Sequence, residues 1–170
     1  MIRLITKADI LARREISSNV PDKKINPFID DAQFVDIQKL LGGSLFNDLI
    51  QNSTDANYVS LLDEGTYEYN GVTYTNIGLK AVLVEYAYSR YILLGANTDT
   101  PFGLVQKDNG TSTQSDYNTK KSMSKASENL AFNYWENVKR FLDRNRADYP
   151  YWDENCSKAR RTTFKINRIG

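Results

Sequence analysis

Histidine is absent from this chain, and cysteine occurs once, as Cys156. Without histidine there is no Ser-His-Asp or Cys-His catalytic arrangement and no histidine-bound metal. One thiol can neither close an intrachain disulfide nor build a thiolate cluster, and it fits a reducing environment. Long apolar runs are missing too. No stretch approaches the about 18 uncharged residues of a transmembrane helix, and the start, MIRLITKADI, lacks the apolar core of a secretory signal. A soluble protein made and used in a cytoplasm-like setting is expected. The acidic pairs Asp30-Asp31, Asp63-Glu64 and Asp153-Glu154 are sequence neighbours, and neighbours on a helix do not share a face. Gly42-Gly43 is not followed by Gly-Lys-Ser/Thr, so it reads as a helix stop and not a phosphate loop. No residue emerges as catalytic, metal-binding or cofactor-binding, and enzyme activity is not expected.

What is present is a foldable chain of 170 residues, 41% hydrophobic and 25% charged, enough for one domain with a real core. Its formal charge is +1, too small for a surface built wholly to hold nucleic acid. The charge is uneven. From Pro150 onward Lys158, Arg160, Arg161, Lys165 and Arg168 stand against Asp153 and Glu154, a net +3 that leaves −2 for the rest. Three readings of this basic tail are open: phosphate binding, docking on an acidic protein, and a solvated fringe. Its interleaved Trp152, Phe164 and Ile166 favour ordering on a partner. Tyrosine is abundant, with 11 copies, and tyrosine is favoured at protein interfaces.

The periodicity predicts a mainly α fold of about four to five helices. Ile77 to Asn97 is apolar nearly all round, with only Lys80, Glu85 and Arg90 charged, so the other segments should pack about it. Thr6 is expected to cap a helix from Lys7 that presents Ile10 and Leu11. A second helix is expected from Asp22 to Leu41, with Pro27 early and an inner stripe of Ile25, Phe28, Ile29, Ala32, Val35 and Leu40. Ser44 is expected to cap a short third helix, and a further turn or two to cover Asp55 to Leu62. The last helix, from about Thr119 to Asp143, carries a stripe of Met123, Ala126, Leu130, Tyr134, Val138, Phe141 and Leu142, widened by Phe132 and Trp135.

Between these lies one clear hairpin signal at 66–75. Asn70-Gly71 is a favoured two-residue loop, and it opposes Tyr69 to Val72 and Tyr67 to Tyr74 on one face. An isolated hairpin is barely stable in water, so this face must lie on its own body or on a neighbour. Residues 98–118 read as a long arm loop whose one apolar island, Phe102 to Gln106, is a candidate short strand suited to pairing or docking on another surface. The chain therefore divides into a helical domain, 1–148, and a basic extended tail, 149–170.

The segments LITKADILARREISSNVPDKKINPFIDDAQFVDIQKLLG, SLFNDLI, GTYEYNGVTYTNIGLKAVLVEYAYSRYIL and TPFGLVQKDN resemble, in order and spacing, the small head–tail connector (adaptor) proteins of tailed bacteriophages, especially those of Bacteroidetes phages. The likeness runs from about Leu4 to Leu142. It implies a structural virion protein, made in the host cytoplasm, whose copies form a ring, commonly of twelve, under the portal at the head–tail junction. Such a ring extends the channel through which DNA passes without specific binding and carries tail or stopper proteins. No cofactor and no membrane are implied. The hairpin with Tyr67, Tyr69 and Tyr74 and the arm with Phe102, Leu104 and Val105 are the two segments with apolar groups and no obvious home, and at least one of them is expected to reach the adjacent subunit. Tyr151, Trp152, Arg160, Arg161, Phe164, Lys165, Ile166 and Arg168 are expected on the portal. The alternative is a nucleic-acid-binding module that uses the basic tail.

Overall fold

The structure, a computed structural model, describes residues 2–95, 97–100, 103–106 and 116–152, with the backbone alone over 97–106. Helix α1 spans Lys7–Arg13 and opens on Thr6, whose backbone N–H and hydroxyl both donate to Asp9 Oδ2, at 2.7 and 2.8 Å. Ile10 is buried as expected, but Leu11 faces outward. α2 (Asp22–Asp31) tolerates Pro27 in its second turn and continues through a π-helical segment, Ala32–Ile37, into α3 (Gln38–Leu41). The π segment explains why the expected stripe fails past Ala32. One residue more per turn moves the inner face from Val35 to Ile37, and Leu41 is buried while Leu40 is half-buried against the core. Val35 is left 57% exposed. Gly42, at φ +79°, ends α3 and is also the N-cap of α4 (Gly43–Gln51), so Ser44 does not cap it. α5 (Ala56–Leu62) is a helix of its own, which raises the helical runs among the described residues to six.

Strands β1 (Gly65–Tyr69) and β2 (Val72–Asn76) form the hairpin in the expected register, with Tyr67 opposite Tyr74 and Tyr69 opposite Val72. Asn70 and Gly71 take the positive φ values, +51° and +74°, that such a loop requires. Gly78 follows at φ +82°, where a Cβ would lie 2.6 Å from Leu62 O, so only glycine lets the hairpin exit pass under α5.

α6 (Leu79–Leu94) is the buried axis predicted from its composition: α7 (Tyr117–Arg144) packs along it, and α1, α2 and the π segment cover other sides. The α6–α7 seam is unexpected in its N-terminal half of α7. There Ser124 and Ser127 face α6, while Met123 and Ala126 are exposed and Leu130 is only half-buried. The reason is Glu85, 2% exposed in the middle of α6. A buried carboxylate must be paired and hydrogen-bonded. Arg14 grips it with Nε on Oε1 at 2.8 Å and Nη2 on Oε2 at 2.6 Å, and the Ser127 hydroxyl donates to Oε2 at 2.6 Å. Further along, Ser89 and Ser124 bond each other at 2.9 Å. The apolar stripe reaches the core only from Ala131 on, through Trp135, Val138, Phe141 and Leu142.

Inside the arm, β3 (Asn97–Thr100) and β4 (Gly103–Gln106) pair antiparallel, so the apolar island does carry a short strand, and it pairs within the chain. The body also runs past the expected boundary at 148. After a 3-10 turn, Arg146–Asp148, Tyr149 and Trp152 are both buried in the core.

Candidate interaction surfaces

The hairpin lies on its own body. Tyr67 meets Phe141 edge-on, with ring centres 5.0 Å apart, and stacks on Tyr74 at 5.7 Å. Arg144, near the end of α7, reaches over this face. Its guanidinium carbon stands 3.7 Å from the Tyr74 ring centre and 5.3 Å from that of Tyr69, and Nη1 donates to the Tyr67 hydroxyl at 2.9 Å. That hydrogen bond raises the Arg144 pKa further. Of the three tyrosines expected at a subunit contact, Tyr67 and Tyr74 are therefore half-buried within the chain. The hairpin tip, with Tyr69 and Val72, remains exposed.

One edge of the hairpin is sealed. Asn137 of α7 donates Nδ2 to Thr75 O at 3.0 Å and accepts the Ile77 N–H on Oδ1 at 2.9 Å, replacing a neighbouring strand on β2. Beside β1 lies a cleft of about 360 Å³ between the hairpin, α5 and the end of α7. Asp63, Glu64 and Asp148 line it together with Val59, Phe141 and Tyr149, and among the described residues no lysine or arginine does.

The root of the tail is part of the core. Tyr149 packs edge-on against Tyr58 and Phe141, and its hydroxyl donates to Asn57 O at 2.6 Å. Burial, aided by Asp148, pushes its pKa up. The Tyr58 hydroxyl in turn donates to Asp48 Oδ2, and burial followed by that bond raises its pKa. Trp152 packs on Trp135 and donates Nε1 to Asp143 Oδ1 at 2.9 Å. This removes Trp152 from the residues free to meet a partner, because its ring and its one donor are already used; Tyr151 beside it is exposed. Arg160, Arg161, Phe164, Lys165, Ile166 and Arg168 lie outside the described residues, as does Phe102. Leu104 and Val105 belong to β4, opposite Asp99 and Thr98 of the same chain.

Sequence reasoning missed a surface on the opposite flank of α7. Phe132 is 55% exposed there and lines a hollow with Asp36, Tyr86 and Arg90. Arg90 Nη1 sits 2.5 Å from Asp36 Oδ2, a charge contact off the hydrogen-bond axis, so this oxygen is ion-paired yet lacks an aligned donor. Phe132 was expected to widen the inner stripe with Trp135; Trp135 is buried, but Phe132 faces outward.

Among the described residues no group of three or more Asp, Glu, His or Cys is placed to hold a metal, and no helix is long and apolar enough to cross a membrane. No curated protein and no solved structure matches the chain. A family model does match, over residues 37–162, from the second half of the long N-terminal helix past the buried tail root; by that match the chain belongs to DUF6712, a family of unknown function.

Proposed function

We propose that the protein is a structural component of a phage virion, a head–tail connector whose copies form a ring, of about twelve by the family resemblance, under the portal. The ring extends the DNA channel and links the capsid to tail or stopper proteins. The observation that supports this best is the placement of exposed apolar groups on different surfaces of one small body. Met123 lies on one flank of α7 and Phe132 on the other, where the hollow that Phe132 lines is shared by Asp36 of the π segment that carries Val35. A ring needs two unlike, complementary faces on each copy, a heterologous contact closed by rotation. The near-neutral total charge suits a channel that lets DNA slide. The hairpin tip, Tyr69, and the arm with Phe102, Leu104 and Val105 are the subunit contacts in this reading. Tyr151 and the cations and apolar residues from Arg160 to Arg168 meet the portal.

The test is to mix the protein with its portal and image the product by negative stain. Rings capping the portal are expected. A chain ending at Trp152, which keeps the whole described core, should stay folded and lose the portal. If the full chain stays monomeric with portal present, the reading fails. Salt-sensitive duplex binding by the isolated protein would replace it with a nucleic-acid-binding module.

A further inference from the structure

We propose that the open edge of β1 and the cleft beside it receive the basic C-terminal segment of a second copy of this chain, added as an extended strand. The inference rests on the connector reading only in requiring copies side by side.

The hairpin geometry makes the edge. With a two-residue loop, Tyr69–Val72 and Tyr67–Tyr74 are the hydrogen-bonded pairs. Thr66 and Glu68 on β1, and Thr73 and Thr75 on β2, then turn their N–H and C=O groups outward. Asn137 occupies that edge on β2. On β1 nothing among the described residues bonds the outward groups of Thr66 or Glu68. An unpaired strand edge is a template for another strand.

The cleft at this edge has the chemistry for a particular strand. Thr66 and Tyr67 form one wall, with Val59 and Phe141 on the apolar side and Asp63, Glu64 and Asp148 as the only charged groups among the described residues. Asp63 and Glu64 pair with Lys80 and Arg13, but at the surface, where such pairs are weak and exchangeable. After Glu154 the chain carries five cations and no acid. Within it, Thr163-Phe-Lys-Ile-Asn167 alternates apolar with polar residues, the pattern of a half-buried strand. Phe164 and Ile166 suit the Val59–Phe141 side, and the cations suit the rim.

The place where the tail leaves the body points to a second copy. Phe141 and Asn137, which carry the hairpin, stand on one flank of α7. Trp135 and Asp143, which hold Trp152, stand on the other. Trp152 is thus held across α7 from the hairpin, while Asp148 and Tyr149, a few residues earlier, still line the cleft. Eighteen extended residues reach roughly 60 Å, ample for the next molecule. A receiving flank and a donating flank make a head-to-tail contact. A tail engaged there is not on the portal, so cleft and portal compete for one segment.

The probe is a labelled synthetic peptide of residues 155–170, titrated into the full-length protein and followed by fluorescence anisotropy. Saturable binding is expected, at least tenfold tighter than that of a peptide of the same composition in scrambled order. Thr66→Pro removes one outward N–H while sparing the bonds to β2, and should weaken binding at least tenfold with the thermal midpoint little changed. Asp148→Asn, which leaves the strand intact, should weaken it severalfold. Absent binding, or equal binding of the scrambled peptide and by both variants, overturns the proposal. Binding only to a chain ending at Trp152 also overturns it, since the tail would then fill its own cleft. Peptide binding without rings on the portal would remove the connector reading and leave the cleft; rings without peptide binding would do the reverse.

Discussion

The guanidinium of Arg144 stands 3.7 Å over the ring centre of Tyr74 and reaches all three hairpin tyrosines. A two-stranded hairpin has too little of its own to stay ordered in water. Docking through Arg144 and Phe141 converts it into part of the body. Arg144→Ala is expected to leave the helix content unchanged and to raise amide exchange severalfold at Tyr67 and Tyr74, read by hydrogen exchange. Unchanged protection would show that Phe141 and Asn137 suffice.

The Arg14–Glu85 pair ties the segment after α1 to the middle of the buried helix. Removing Arg14 strands a carboxylate that is 2% exposed. Arg14→Met should cost about 3 kcal/mol, the low end for breaking a buried pair, because part of the guanidinium meets solvent. Arg14→Met with Glu85→Leu should cost less than the two single changes together. Denaturant unfolding of the four proteins gives the cycle, and simple additivity would refute the coupling.

Tyr149 sets an alkaline limit. Its folded pKa is raised by burial above the ordinary value of 10.0, so folding favours the neutral phenol. The associated stability is fully present below about pH 10 and is lost as pH rises from there toward the folded pKa. Tyr149→Phe forfeits the bond to Asn57 O, about 1 kcal/mol at neutral pH, and should show a shallower loss above pH 10. Parallel melting curves at pH 7 and above 10 decide it; equal slopes would exclude Tyr149 as the sensor.

The sequence made the axis legible, because a helix apolar all round has few places to go but inside, and it gave the hairpin register through Asn70-Gly71. It hid three things for physical reasons. The π segment inserts a residue in the turn without any composition signal, so a regular helical period puts Val35 inside where the structure leaves it exposed. Glu85 looked like a stray charge, and only the approach of Arg14, 71 residues away, shows why serines replace apolar groups on α7. Trp152 read as part of a basic tail, since its docking partner Trp135 lies across a chain reversal that no periodicity reports. The cleft beside β1 was equally invisible, being assembled from α5, the hairpin and the end of α7.

Trp152 fixes where the folded body ends. Its ring is 5% exposed against Trp135, and truncating such a side chain to alanine costs about 3 kcal/mol. A chain cut after Asp148 should lose this and the Tyr149 contacts together, and melt well below a chain cut after Trp152. If both melt alike, the tail root adds nothing to the core.

Val35 separates folding from assembly. It is 57% exposed on the π segment and absent from the core cluster, so Val35→Lys should change monomer stability by no more than about 0.5 kcal/mol. A lysine facing an apolar patch of a neighbour would be desolvated without a partner, which abolishes a contact more surely than truncation does. Phe132→Lys applies the same reasoning on α7, at the hollow that Asp36 of the π segment shares. In a ring whose contacts are heterologous, either change alone should stop closure on the portal, because each copy must both give and receive. Mixing the two variants should restore at most pairs if Val35 and Phe132 meet each other across the contact, since one clean interface survives per pair. Mass photometry with the portal present reads this directly; rings formed by either single variant would place the contact elsewhere.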